Sequence, residues 1–211
     1  MEQRTDAWLE WRRKHVCASE APVIMGVAKY STILDWWRDK MGLPPTKERN
    51  TYIMDKGNAL EPIARARYSL LKNVEMEPAL YEHSKYPLFA ASLDGANATL
   101  KRGLEIKYLG REDFANMFLG IVPVRYVPQV QAQLFVTGFK SIDFFGYHLP
   151  KECNVPELYH RGRSLTISVE PDLAMIAEYK QRGEFYWDFV VRGVEPPYEK
   201  PARKARAKKC R

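Results

Sequence analysis

The sequence is poor in the residues that build soft metal sites and covalent scaffolds. It holds three cysteines, Cys17, Cys153 and Cys210, and four histidines in 211 residues. The cysteines are odd in number, widely spaced and never paired as C-x-x-C. That excludes a disulfide framework and a zinc or iron–sulfur knuckle, and it reads as reduced thiols. No uncharged apolar run approaches the roughly 20 residues of a membrane-crossing helix. The opening segment, MEQRTDAWLEWRRKH, is charged from the outset, unlike a secretory leader. Together these absences predict a protein of the cytosol. No internal repeat is present, and the body of the chain has no charge excess. The net +7 is carried by the tail, KPARKARAKKCR, while residues 1–199 hold 26 basic against 26 acidic residues.

The tail, with Lys200, Arg203, Lys204, Arg206, Lys208, Lys209 and Arg211 around Pro201, has no apolar period and reads as a disordered terminus over 199–211. It is either a solvated end or an electrostatic tether that raises non-specific nucleic-acid affinity in a salt-dependent way. What remains, with 45% hydrophobic and 28% charged residues overall, has an ordinary globular composition and a length that suits one domain over 1–198.

Along that domain, TDAWLEWRRKH reads as a short amphipathic helix capped by Thr5 or Asp6. ASEAPVIMG offers Ser19 as a cap, Pro22 in a first turn and Gly26 as a stop. STILDWWRDKMG predicts a helix from Ser31 or Thr32 to Gly42, followed by a charged, proline-rich loop over 43–50. GNALEPIARARYSLLKN predicts a longer helix, in which Pro62 is tolerable only in the first turn, so that Glu61 stands at the N-terminal end. The pattern then becomes extended, with strands over 78–83, 87–94 and 103–109 and turns at Ser84–Tyr86 and Gly95–Asn97. A helix over 124–137 closed by Gly138, strands at SIDFFGYHL and SLTISVE, and a last helix started by Pro171 and Asp172 complete the order. The fold class is α/β (α+β), a mixed sheet flanked by helices.

The chemistry concentrates in SLDGANATLKRGLEIKYL. On a strand, Glu105 and Lys107 point to one face, about 6–7 Å apart, and Leu104, Ile106 and Tyr108 to the other. The reading without function is a surface hairpin with an exposed ion pair of little consequence. The chemical reading is an oxygen-ligand site for a hard cation, magnesium or manganese. Asp94, Glu105 and the backbone carbonyl of Ile106 would be its ligands, with Lys107 orienting or deprotonating a water or stabilising a phosphorane. These are the elements needed to cut a phosphodiester. Ser19 at a helix start and Arg12 one helix earlier also form a candidate anion grip.

The stretches DAWLEWRRKHVCASE, GNALEP, ASLDG…GLEIK and YVPQVQAQLFVTG occur in order over roughly residues 5–148. In this the chain resembles the lambda exonuclease or YqaJ-type viral recombinase family, within the PD-(D/E)XK nuclease superfamily. The resemblance implies a restriction-endonuclease-like core with Asp94, Glu105 and Lys107 handling metal and water. It makes Glu61 a helix-borne acid reaching the metal and Gln129 the active-site glutamine, in preference to Gln131. It makes Arg12 and Ser19 the grip for a terminal 5′-phosphate, with Lys29 a third candidate placed by spacing from Ser19. One departure is that YEHSKYP offers Glu82, His83 and Ser84 with no match to an extra acid found in some members, and His83 reads as a surface histidine.

The implied activity is a magnesium-dependent exonuclease on double-stranded DNA ends, working 5′→3′ with two ions per site and releasing 5′-mononucleotides. The resemblance further implies a ring-shaped homotrimer, a single-strand annealing protein as partner, and a phage or prophage origin in a bacterial host. Two rivals stand beside this reading. One is an endonuclease or repair-complex nuclease module of the same superfamily, whose iron–sulfur members the missing cysteine quartet disfavours. The other is a non-catalytic protein that binds DNA ends.

Overall fold

The computed structural model describes residue 3 and residues 5–46 and 52–197. The basic tail, Cys210 and the end of the 43–50 loop lie outside the described residues. Helix α1 (Asp6–Arg13) starts at Thr5, whose hydroxyl accepts the Trp8 N–H. A two-residue strand β1 (Val16–Cys17), a 3-10 turn (Ala18–Glu20) and a four-residue helix α2 (Ala21–Ile24) follow, with Pro22 in the first turn. Helix α3 (Ile33–Lys40) has a capping box in which Thr32 and Asp35 satisfy each other's backbone N–H groups. Gly26, Gly42 and Gly138 all take positive φ where helical segments end, as expected of stop residues.

Helix α4 (Tyr52–Lys72) corrects one expectation. It begins ten residues before Pro62, which lies in its interior, so Glu61 is not at a helix start. Both Pro62 and Asn58, whose carbonyl the proline leaves without its N–H partner, are exposed. Water can therefore replace the missing bond, and the solvent-facing ring is tolerated.

The sheet contains β2 (Glu77–Glu82), β3 (Phe89–Asn97), β4 (Arg102–Tyr108), β5 (Ser141–His148) and β6 (Arg163–Val169), in the order β1-β3-β4-β5-β6, with β2 on β3. The segment Gly95–Asn97, expected as a turn, belongs to β3 and pairs with Arg102–Leu104. β4 and β5 run parallel. Their crossover holds α5 (Arg111–Met117), which the sequence reading missed, and α6 (Val127–Thr137). Helix α7 (Leu173–Arg192) starts at Asp172, whose carboxylate accepts the Ala174 and Met175 N–H groups.

The sheet is packed on both faces. One face carries Phe89, Leu93, Ile142 and Phe144 against α2, α3, α6 and α7. The other carries Leu104, Ile106, Phe145 and Tyr147 against α4 through Leu60, Ala64 and Tyr68. Gly183 of α7 permits a close approach to β3, since a Cβ there would stand 2.7 Å from the Phe89 ring. Among the described residues no helix is long and apolar enough to cross a membrane.

Candidate active site

Two irregularities of β3 create the site. From Leu93 to Ala96 it runs three residues against two of β2 (Ala79 to Glu77), a bulge that falls at Asp94 and Gly95. Such a bulge re-aims a side chain and ends regular pairing. The β3–β4 ladder accordingly covers only Gly95–Asn97 against Arg102–Leu104. Beyond it the strands part, and β1 takes the freed edge of β3 at Phe89 and Ala90. In place of a ladder bond, the Ile106 N–H donates to Asp94 Oδ2 at 2.7 Å. The N–H and C=O of one strand residue face the same edge, so the Ile106 carbonyl also points into the parting.

Glu105, one residue before, is 1% exposed. Its Oε1 accepts from Gln129 Nε2 at 2.6 Å and its Oε2 from Gln133 Nε2 at 2.5 Å, while the Lys107 ammonium pairs with Oε1. This is not the exposed pair of the hairpin reading; it is a buried carboxylate held by three donors, two on Oε1 and one on Oε2. Gln133 also donates to the Ser92 carbonyl at 3.2 Å. Glu61 of α4 pairs with Arg65 at 3.0 Å, and Arg65 donates to the Asp94 carbonyl at 2.5 Å, which brings α4 to the same parting.

The electrostatics follow from this crowding. Burial first, then the charges of Glu105 and Glu61, push the Asp94 carboxyl well above the usual carboxylate range, against the opposing pull of Lys107 and the Ile106 N–H. Burial alone would lower the Lys107 pKa, but Glu105 and Asp94 override it and hold the ammonium charged. A carboxyl whose ionisation is opposed by burial and by neighbouring acids, within an all-oxygen donor set, fits a hard divalent cation, which would relieve the repulsion. Among the described residues no three His, Cys, Asp or Glu side chains form a preformed cage.

Gln131, two residues from Gln129, points elsewhere: it donates to the Glu170 carbonyl and accepts the Asp172 N–H, fixing the start of α7. Gln133 was missed in the sequence, although it lies one helical turn beyond Gln129 and so on the same face. Arg65 was missed likewise, four residues after Glu61. His83 is half-buried, accepts the Lys85 and Tyr86 N–H groups and packs on Phe135, so it shapes a turn. Glu82 accepts from the Trp11 indole at 2.6 Å.

Arg12 and Ser19 come together. Arg12 Nη1 donates to the exposed Ser19 hydroxyl at 3.0 Å and Nη2 to Glu20 at 3.1 Å, with the guanidinium over the Trp8 ring. Ser19 lies in the 3-10 turn, not at the start of a long helix, and α2 has only four residues. The candidate grip therefore consists of a guanidinium and a hydroxyl, not a helix dipole. Trp8 donates to the Ser92 hydroxyl at 3.2 Å, so α1 is registered on the strand that carries Asp94. Lys29 is exposed, and its electrostatic neighbours include Arg125 and Asp113. Arg125 stacks on the Tyr126 ring, which also faces Lys107 at 5.6 Å, and this ties Lys29 to the Lys107 side of the site.

The sequence model of the YqaJ-like viral recombinase domain matches residues 7–140, more than half the chain. The uncharacterized protein YqaJ of Bacillus subtilis (strain 168) is 30% identical over 139 residues, 65% of this chain and 44% of that protein. The chain thus spans less than half the length of this curated relative. The crystal structure of an alkaline exonuclease from Laribacter hongkongensis superposes with a TM-score of 0.69 at 24% identity, covering 90% of this chain and 95% of that one. A phage related exonuclease from Haemophilus somnus 129PT superposes with a TM-score of 0.61 at 14% identity, covering 85% and 96%. At these identities the likeness establishes the fold, which is restriction-endonuclease-like. By its sequence match over residues 7–140, the chain belongs to the YqaJ-like viral recombinase domain family.

Proposed function

We propose that the chain is a magnesium-dependent deoxyribonuclease that enters at double-stranded DNA ends and removes 5′-mononucleotides in the 5′→3′ direction, leaving a 3′ single strand for annealing. The observation that carries this reading is the Glu105 carboxylate, sealed from solvent, held by Gln129, Gln133 and Lys107, beside an Asp94 that burial and its acidic neighbours make reluctant to ionise. A purely structural strand does not need that concentration of opposed charge. The two exonucleases of like fold support the reaction class.

In this reading Asp94, Glu105, Glu61 and the Ile106 carbonyl would hold the metal, one ion or two. A bound divalent ion supplies Lewis acidity and a water activated at neutral pH. The residues of the chain do the rest. Gln129 and Gln133 fix the rotamer of Glu105. Lys107, kept charged by its partners, donates hydrogen bonds to the attacking water and to the phosphoryl oxygens as negative charge builds on them. Arg12 and Ser19 hold the terminal 5′-phosphate, and Lys29 adds positive charge near the mouth of the site. Assembly as a homotrimer and transfer of the 3′ strand to an annealing protein belong to the same reading and rest on the family resemblance.

Covalently closed circular duplex tests the reading against its endonuclease rival. Linear duplex should be degraded in magnesium while the closed circle survives. Degradation of the circle at a similar rate would make the chain an endonuclease, and binding of both without cleavage would make it a non-catalytic end binder.

A further inference from the structure

Behind Arg12 lies a buried ionic cluster that the proposed reaction does not use directly. Glu20 is 8% and Lys40 6% exposed. Glu20 Oε1 accepts from Arg12 Nη2 at 3.1 Å and from Lys40 Nζ at 2.8 Å, and Oε2 accepts from the Trp36 indole at 2.8 Å and from the Cys17 N–H at 3.0 Å. Lys40 Nζ also donates to the Arg12 backbone carbonyl at 2.7 Å. The cluster therefore clamps Arg12 at both ends, main chain and guanidinium. None of α1's residues is fully buried, and its two tryptophans are held by single hydrogen bonds, Trp8 to Ser92 and Trp11 to Glu82, so the clamp adds the direct hold on Arg12 itself.

The charge count gives the cluster a direction. Two cations, Arg12 and Lys40, share one buried carboxylate; Asp39, also felt by Arg12, is exposed and its field is screened by water. The surplus positive charge leaves through Arg12 Nη1, the atom next to the exposed Ser19 hydroxyl. Burying charged groups is unfavourable unless the geometry is well satisfied, and a simple apolar contact would hold α1 at less cost. An arrangement of this kind is suited to keeping one guanidinium aimed.

We infer that Glu20 and Lys40 are positioning residues that aim Arg12 at the anion bound by Ser19, so that the selection of phosphorylated ends depends on a cluster that does not itself touch DNA. The inference rests on the reading of Arg12 and Ser19 as the 5′-phosphate grip. Neither residue is a catalytic group. Both act through Arg12.

The test is the ratio of single-turnover rates, at sub-saturating enzyme, on linear duplexes with 5′-phosphate and 5′-hydroxyl ends, which cancels any general loss of active protein. The parent should prefer phosphorylated ends and Arg12→Ala should abolish the preference. Lys40→Met, which fills the same space without the charge, should reduce it by about tenfold, the factor one charge-assisted hydrogen bond supports, and should act by raising KM for phosphorylated ends. Trp36→Phe removes the indole donor to Glu20 while leaving both cations in place, at the cost of some buried ring volume, and should lower the ratio by less. If Lys40→Met is insoluble, Trp36→Phe decides. A parent that shows no preference overturns the grip itself. A preference lost in Arg12→Ala but intact in Lys40→Met and Trp36→Phe overturns the positioning role alone.

Discussion

Asp94 carries two roles that conflict in the metal-free protein. Its carboxylate replaces a ladder bond by accepting the Ile106 N–H, yet burial and the charges of Glu105 and Glu61 disfavour its ionised form. An acid whose folded pKa lies above its unfolded value, about 3.9 for aspartate, contributes its full stability below the unfolded value and loses it as pH rises through the folded one. At neutral pH the metal-free protein is therefore less stable than it would be with a neutral group there. Asp94→Asn keeps an oxygen for the Ile106 N–H and removes the charge. It should raise the metal-free unfolding midpoint at neutral pH by about 2–4 °C, the shift that roughly 1 kcal/mol produces in a domain of this size, while abolishing the proposed cleavage and the stabilisation by magnesium that the proposed site predicts for the parent. Thermal melts with and without magnesium check this, and a lower midpoint in Asp94→Asn without metal would show that the charge is already compensated. Gln133 belongs to the same scale: it holds Glu105 from the turn next to Gln129, and only the helical period of α6, not the residue type, marked its face.

Helix α4 shows what the sequence could and could not reveal of an element. Its polar residues Glu61, Arg65 and Tyr68 follow helical spacing and reach the sheet, Arg65 at the Asp94 carbonyl and Tyr68 at the buried Asp143 carboxylate, 2.6 Å away. The start of the helix was misread because a proline removes a hydrogen bond wherever it stands in a helix, and the sequence does not say whether the freed carbonyl meets water. Here Asn58 is exposed. Pro62→Ala should consequently stabilise the protein, by about 1 kcal/mol and well under the roughly 3 kcal/mol of a helix-interior proline. Urea unfolding measures it, and a destabilised variant would mean that the ring itself packs usefully. The strand carrying Glu105 and Lys107 and its alternation were legible because period-two patterning has few alternatives, whereas of its buried partners Gln129 came only from the family resemblance and Gln133 not at all. The β3 bulge, the early parting of β3 from β4 and the two-residue β1 were not, since each depends on how distant strands compete for one edge. The same is true of Glu20 and Lys40, whose burial together follows from where α3 packs.

At the scale of the whole molecule, two faces of one sheet converge on the parting between β3 and β4. Helix α6 brings Gln129 and Gln133 from one side, α4 brings Glu61 and Arg65 from the other, and α1 with the 3-10 turn sets Arg12 and Ser19 on the same strand through Trp8 and Ser92. That convergence is what turns four short sequence motifs into one site, and it is the claim most open to direct test. Linear duplex labelled separately at its 5′ and 3′ ends should lose the 5′ label as a mononucleotide, only with a divalent metal present, and Glu105→Gln should lose this activity while still binding DNA. Release of label without divalent metal, first release from the 3′ end, or an undiminished rate in Glu105→Gln would contradict it.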